Sequence, residues 1–209
     1  DVKKIARKPK QVSHVEAAVL PLAGVSAYQG VVEHINLQDG QKILIHGGAG
    51  GIGGFAVQIA KHLGAYVATT VSAQDIDYVK GLGADMVIDY KTQRFEDLIH
   101  EYDAVFDDSG SGGDTYERSF RVVKKGGVIV SMTEQPREDL AEQYGVRTMR
   151  QSTDVTQERL AKLAELVDRG VIKVYIDKTF PLDQAAAALT YLQTKHSRGK
   201  VVLQVKSVV

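Results

Sequence analysis

The chain has no cysteine among its 209 residues. That excludes disulfides, thiolate zinc ligands and a cysteine nucleophile, and it accords with a reducing, cytoplasmic setting. Neither sign of charge is in excess: 26 Lys and Arg balance 26 Asp and Glu, leaving a formal net charge of zero. No global field draws the protein to nucleic acid or to an anionic membrane. The six histidines show no metal-ligand spacing. No uninterrupted apolar run approaches the ~20 residues of a membrane span. One stretch imitates a leader, since basic "KKIARKPK" precedes apolar Ala17–Val25, and Val25-Ser26-Ala27 has the form of a cleavage site. His14 and Glu16 spoil that transition and Pro21 divides the apolar run. A soluble protein without membrane or nucleic-acid partners is expected.

Glycine, by contrast, is concentrated. "HGGAGGIGGFA" (His46–Ala56) places six glycines in the eight positions from Gly47 to Gly54. Glycine packs poorly and loses the most conformational entropy on ordering, so such a cluster implies a need for bare backbone. The flanks supply the context. Lys42–His46 is a short apolar, β-favouring run after the turn signal Asp39-Gly40 and reads as a buried strand. Ile52, Ala56, Ile59 and Leu63 then recur at helical spacing, with Gly64 at the C-terminal cap.

Strand and helix continue to alternate. Tyr66–Val71 is predicted as a second strand, Asp75–Leu82 as a helix ending at Gly83, and Met86–Tyr90 as a third strand. "LGAYV" (Leu63–Val67) and "LGADMV" (Leu82–Val87) repeat one helix-to-strand joint, as successive βαβ units do. Ala104–Phe106 is predicted as a strand leading into "DDSGSGG". A helix follows, capped by Asp114 with Glu117 as its capping-box partner and striped by Tyr116, Phe120 and Val123. Gly127–Met132 reads as strand five, Val146–Met149 as a short sixth, and Leu160–Val167 as an amphipathic helix closed by Gly170. This order predicts an α/β fold, a doubly wound and mostly parallel sheet with helices on both faces. The expected division is 1–38 (helix, break at Pro21, helix), 39–172 (dinucleotide-binding domain) and 173–209 (strand, two helical stretches, final strand Val201–Val205).

Gly48-Ala-Gly50-Gly-Ile-Gly53 matches G-x-G-x-x-G between a predicted strand and a predicted helix. In that context the first glycine permits a tight turn and the second lets backbone approach a pyrophosphate. The third lets helix pack on strand. The helix N-terminus offers free N–H groups and a positive dipole end to the phosphates. A dinucleotide is therefore the expected ligand. An NAD site usually ends its second strand with an acid for the ribose hydroxyls. Here that end reads Thr69-Thr70-Val71-Ser72, with Asp75 three residues on. The strand end itself carries no acid to repel a 2′-phosphate, and Ser72 can donate to one or act as a helix N-cap, while Asp75 is near enough to face the ribose as the alternative. NADP(H) is expected over NAD(H).

The glycines also fit Gly47-x-x-x-Gly51-x-Gly53, the short-chain dehydrogenase pattern, whose Tyr-x-x-x-Lys pair would be Tyr191 and Lys195. That pair falls too close to the C-terminus for such a fold. The rest of the chain resembles the medium-chain dehydrogenase/reductase superfamily, in its zinc-free quinone-oxidoreductase (zeta-crystallin-like) branch. "EAAVLPLAGVSAYQGV" (Glu16–Val31), "LQDGQKILIHGGAGGIGGFAVQIAKHLGA", "LGADMVIDY", "YDAVFDDSGS", "GGVIVSM" and "FPLDQAAAAL…SRGKVVLQV" (Phe180–Val205) match it in order. The resemblance implies a Rossmann domain with remnants of a GroES-like catalytic domain: 1–38 its exit and 173–209 its return, most of that domain lying outside this sequence. It implies hydride transfer from NADPH to a quinone or another activated enone, no zinc, and, at the level of the family, a homodimer.

The zinc-type alcohol dehydrogenase and a non-catalytic NADPH-sensing module are the alternatives. By position, Gly48, Gly50, Gly51, Ile52 and Gly53 would cradle the pyrophosphate, and Ser72 and Tyr90 would bracket the adenosine ribose phosphate. Ser109 and Ser131 would lie at the carboxyl edge, and Ser26 would reach the nicotinamide side. The lysine that this branch often carries after the second strand is missing from Ser72-Ala-Gln74-Asp75. Asp107 and Asp108 read as turn-solvating residues, His46 as a strand-end residue, and no catalytic residue is assigned.

Overall fold

A computed structural model describes residues 1–110, 113–195 and 197–205. Positions 111–112 of the predicted "DDSGSGG" turn, His196 of the loop before the last strand, and 206–209 lie outside the described residues.

Six strands form one parallel sheet: β1 (Lys42–His46), β2 (Tyr66–Val71), β3 (Met86–Asp89), β4 (Tyr102–Asp107), β5 (Val123–Ser131) and β6 (Arg147–Arg150). Their order is β3-β2-β1-β4-β5-β6. Parallel strands buried on both faces need apolar residues at successive positions, and β1 and β4 supply them. Alternation then sorts the side chains by face. Ile43, Ile45, Val67, Ala104, Phe106, Val128 and Val130 point into one core cluster; Leu44, Ala68, Ile88, Val105 and Ile129 point into the other.

The first face is covered by α1 (His14–Ala17), α2 (Val25–Tyr28), α3 (Gly53–His62), α4 (Ile76–Gly81) and α7 (Gln157–Asp168). The second is covered by α5 (Thr115–Ser119) and α6 (Glu138–Tyr144), with Phe95 and Ile99 from the connection before β4. The doubly wound arrangement read from the alternating pattern is therefore the one observed.

Several local readings need correction. Pro21 does not break the leading segment: His14–His34 forms one 21-residue helical run in which Leu20–Gly24 and Gln29–His34 adopt π turns. Pro21 takes the start of the first π turn, where its missing N–H is tolerated. That run is long and apolar enough by composition to cross a bilayer, contrary to the expectation from the sequence. Its apolar residues Leu20, Ala23, Val25, Ala27 and Val31 are buried against the sheet. Asp114 makes no side-chain cap, because its carboxylate instead accepts from the Arg118 guanidinium at 2.9 Å. Val123 opens β5 rather than closing α5.

Beyond the sheet, β7 (Ile176–Pro181) and β8 (Lys200–Gln204) pair in parallel around α8 (Ala185–Thr194). Gln58 of α3 clamps the approach to β7, donating to the Lys173 carbonyl at 3.1 Å and accepting from its N–H at 2.8 Å. Tyr191 belongs to this unit. Its hydroxyl donates to Asp177 at 2.8 Å and its ring packs on Phe180. The Tyr191/Lys195 spacing thus reflects one helix of a small βαβ unit, not an acid–base pair.

Candidate functional site: the cavity at the strand reversal

Between β1 and β4 the chain order of the sheet reverses, β1 pairing with β2 on one side and with β4 on the other. Helices leave such a point in opposite directions, so a crevice opens at the carboxyl ends of the strands. Here it is a cavity of about 490 Å³, lined by Gly47 and Gly50 after β1, Thr70 in β2, Tyr90 after β3, and Asp108 and Ser109 after β4. That volume lies in the range of small-molecule sites.

The glycine loop is shaped by close approaches rather than by mobility. Gly47, at φ 75°, makes the sharp turn out of β1, so the turn role assigned to Gly48 belongs one residue earlier. Gly48 instead lies so near β2 that an added Cβ would be 3.0 Å from Thr69 Cβ. Gly53 presses on the turn, its Cβ position 2.7 Å from the Gly47 carbonyl carbon and 2.9 Å from Gly48 Cα. This is the close helix–strand packing expected of the third motif glycine. The result is a loop at the amino end of α3 whose Gly51 and Ile52 amides meet no backbone acceptor among the described residues, while the Gly53 amide donates to the Asp108 carboxylate. Free amides and a positive dipole end together favour an anion.

The other predicted residues separate into three groups. Gly50, Tyr90 and Ser109 line the cavity, Tyr90 half-exposed at its rim. Gly51 lies under the Lys200 side chain, whose Cδ is 2.6 Å from the Gly51 Cβ position, and Ile52 packs against the first core cluster. Ser26, Ser72 and Ser131 are buried and bonded internally. Ser26 donates to the Leu22 carbonyl at 2.8 Å and shares a 2.7 Å bond with Thr153. Ser72 donates to Asp75 at 2.7 Å. Ser131 donates to Asp107 at 3.1 Å and accepts from the Glu134 N–H at 3.0 Å.

The two aspartates after β4 do not solvate a turn. Asp107 is fully buried and ties the ends of β4 and β5 together, accepting from Ser131 and from the hydroxyl and N–H of Ser109. Asp108 is half-buried in the cavity wall, and burial pushes its carboxyl up to about 7, opposed by Lys200 and the Gly53 amide and reinforced by the Asp107 charge. His46 is a strand-end residue, as read, but a fully buried one. Its ring nitrogens bond Thr70 and Ser119, each at 3.0 Å, and burial pushes it down to about 4, so it is neutral.

Arg198 and Lys200 escaped the sequence reading. The chain before β8 returns across the glycine loop, where the Gly199 N–H donates to the Ala49 carbonyl at 3.1 Å and Gly50 and Gly199 form an isolated parallel bridge. This return carries Arg198 to the end of β2. There its Nε donates to the buried Asp75 carboxylate at 2.6 Å, and its guanidinium lies 5.9 Å from the Tyr78 ring. Asp75, the one acid able to mimic an NAD-type carboxylate, is thus paired with a cation and with Ser72. Among the described residues no group of three His, Asp or Glu side chains is placed to hold a metal ion.

Comparison with known proteins agrees with this geometry. A zinc-binding dehydrogenase family model matches residues 82–203. A 2-methylene-furan-3-one reductase from Solanum lycopersicum is 39% identical over 205 residues, covering 96% of this chain and 50% of that protein. An NADPH-dependent alkenal/one oxidoreductase from Arabidopsis thaliana is 37% identical, with the same two coverages. The solved quinone oxidoreductase of Coxiella burnetii superimposes with a TM-score of 0.87 at 34% identity, over 96% of this chain and 63% of that one. The chain spans about half the length of these curated relatives. With a parallel sheet in this strand order and these matches, the chain belongs to the zinc-binding dehydrogenase family of medium-chain dehydrogenase/reductase fold.

Proposed function

We propose that this chain is the cofactor-binding part of an NADPH-dependent oxidoreductase that reduces a quinone or another activated enone. One observation carries the proposal. The glycine loop walls a cavity at the strand reversal with Gly47 and Gly50, a side chain on Gly50 would enter the space between loop and Asp108, and the next amides in the chain, at Gly51 and Ile52, meet no backbone acceptor among the described residues. That bare-backbone cradle fits a diphosphate. Relatives named as an alkenal/one oxidoreductase dependent on NADPH, a furanone reductase and a quinone oxidoreductase support the substrate class.

The residues divide the work. The amides of Gly51, Ile52 and Gly53 would hold the diphosphate, with Lys200 adding a cation over the loop. Arg198 neutralises Asp75 and places positive charge at the end of β2, which favours a 2′-phosphate over a free hydroxyl. Tyr90 supplies a ring at the cavity rim for a nucleoside. Asp107, by tying the ends of β4 and β5, keeps Ser109 and Met132 at the carboxyl edge. Bound NADPH would supply the hydride delivered to the electron-poor carbon of the acceptor.

Titration of nicotinamide fluorescence tests the cofactor, and tryptophan is absent from the chain, so its emission does not interfere. NADPH is expected to bind at least ~10-fold tighter than NADH, about 1.4 kcal/mol, and Arg198→Met to remove most of that difference. Equal affinities, or a preference for NADH, would overturn the cofactor assignment. NADPH oxidation by a quinone, assayed in the longer protein that carries this chain, tests the reaction.

A further inference from the structure

We propose that Asp108 is an internal anion of the diphosphate site: its carboxyl group stands at the amino end of α3 and has to lose its charge or swing aside for an anionic cofactor to bind. This rests on the cofactor reading above and adds to it a residue that sets how tightly, and over what pH range, the site fills.

The placement comes first. Asp108 is the first residue beyond β4, beside the strand reversal. Its backbone carbonyl packs against the Gly47 turn, 2.8 Å from the Gly47 Cβ position, and its Oδ2 lies 3.8 Å from the Gly50 Cβ position. The side chain therefore faces the cradle, with Gly47 and Gly50 in the same cavity wall.

Next is what the carboxyl is not doing. Its neighbour Asp107 has a structural task, with three donors from Ser109 and Ser131. Among the described residues no side-chain donor bonds the oxygens of Asp108, and the hydrogen bond they do accept comes from the Gly53 amide. What favours its charged form is the Gly53 amide from α3 and the Lys200 ammonium from β8, while Asp107 on its own strand opposes it. Arg118 from α5, Glu134 from the loop after β5 and neutral His46 from β1 line the same cavity. The amide at the start of α3 that a diphosphate would need is thus aimed at a carboxylate when the site lacks one. Two anions cannot share that dipole end without repulsion.

Energetics give the sign. Burial already makes this carboxyl hold its proton to about neutral pH. A diphosphate beside it raises its proton affinity further, so binding takes up a proton. Affinity is then level below neutrality, where the carboxyl is already discharged, and falls as pH rises above it.

The experiment compares the wild-type chain with Asp108→Asn, and with Asp108→Thr in case the amide disturbs the turn, by NADPH titration between about pH 6 and about pH 8.5. The cofactor's own 2′-phosphate titrates identically for all three proteins and cancels in the ratio of Kd values. The ratio of wild type to either variant is expected near unity at the acid end and about tenfold at the alkaline end, the scale of one like-charge neighbour. A ratio that stays within twofold of unity throughout, with NADPH bound by all, overturns the role of Asp108 and leaves the cofactor reading intact. Binding by none of them at any pH overturns both. Weaker binding by both variants at every pH also refutes the proposal, since it would make Asp108 a ligand rather than a competitor.

Discussion

Gly53 and Gly54 are adjacent at the start of α3, and the packing assigns them opposite responses to alanine. A Cβ on Gly53 would lie 2.7 Å from the Gly47 carbonyl carbon and 2.9 Å from Gly48 Cα, with the Gly47 oxygen closer still. These are backbone atoms of a turn pinned between β1 and β2, so nothing flexible can yield, and α3 must move off the sheet. Overpacking of this kind costs about 1–3 kcal/mol, which outweighs the gain of under ~1 kcal/mol that alanine brings in a helix. A Cβ on Gly54 would meet Leu82 Cδ1 at 3.4 Å, the Tyr78 hydroxyl at 3.5 Å and the Gly48 oxygen at 3.6 Å, all ordinary contacts. There the helix preference and the reduced freedom of the unfolded chain dominate, stabilising by about 0.4–1 kcal/mol. Urea unfolding followed by circular dichroism should therefore separate Gly53→Ala from Gly54→Ala by about 2–3 kcal/mol, with wild type between them. Gly53→Ala should also weaken NADPH binding, because the displaced helix carries the anion-facing amides. If the two variants unfold at the same midpoint, the close-packing account of the third motif glycine is wrong.

Two further outcomes follow from buried polar groups. His46 is held neutral in the folded state by burial, with its proton affinity lowered from 6.5 to about 4, while in the unfolded chain it charges normally. The unfolded state therefore binds more protons between these values, and stability falls as pH drops through that window, by up to about 3 kcal/mol. His46→Gln, which can still bond Thr70 or Ser119, should flatten that part of the urea-midpoint profile; an unchanged profile would show that another group drives acid unfolding. Gln58→Ala removes both bonds to Lys173 and leaves that peptide's polar groups without them. It should cost about 2 kcal/mol in the same assay and loosen the β7–β8 unit, read as faster amide exchange there. Protection equal to wild type would assign the docking of that unit to other contacts.

Much of the fold was legible in the chain because parallel strands and their covering helices are local hydrophobic patterns. Six strands were placed within a few residues, and Gly64, Gly83 and Gly170 mark three helix ends through their positive φ. Failures came where a distant partner outvoted a local rule. Asp114 and Glu117 read as a capping box, yet Arg118 captures the Asp114 carboxylate and Arg137 pairs with Glu117. Ser26, expected to reach the nicotinamide side, shares its hydroxyl with Thr153, 127 residues away. The Asp107-Asp108 pair looks uniform in sequence, but among the described residues it is Asp107 that Ser109 and Ser131 bond.

Local sequence alone settled the glycine turn, the strand–helix alternation and the absence of an acid at the end of β2, because each depends on neighbours along the chain. Tertiary structure decided which charges stand around that turn. Arg198 and Lys200 lie nearly 150 residues beyond the glycines, and only the parallel pairing of β8 with β7 and the Gly50–Gly199 bridge bring them over the loop. Side-chain identity travels with the sequence, whereas the field at a site is a sum over whatever the fold gathers there, falling with distance in space and not along the chain.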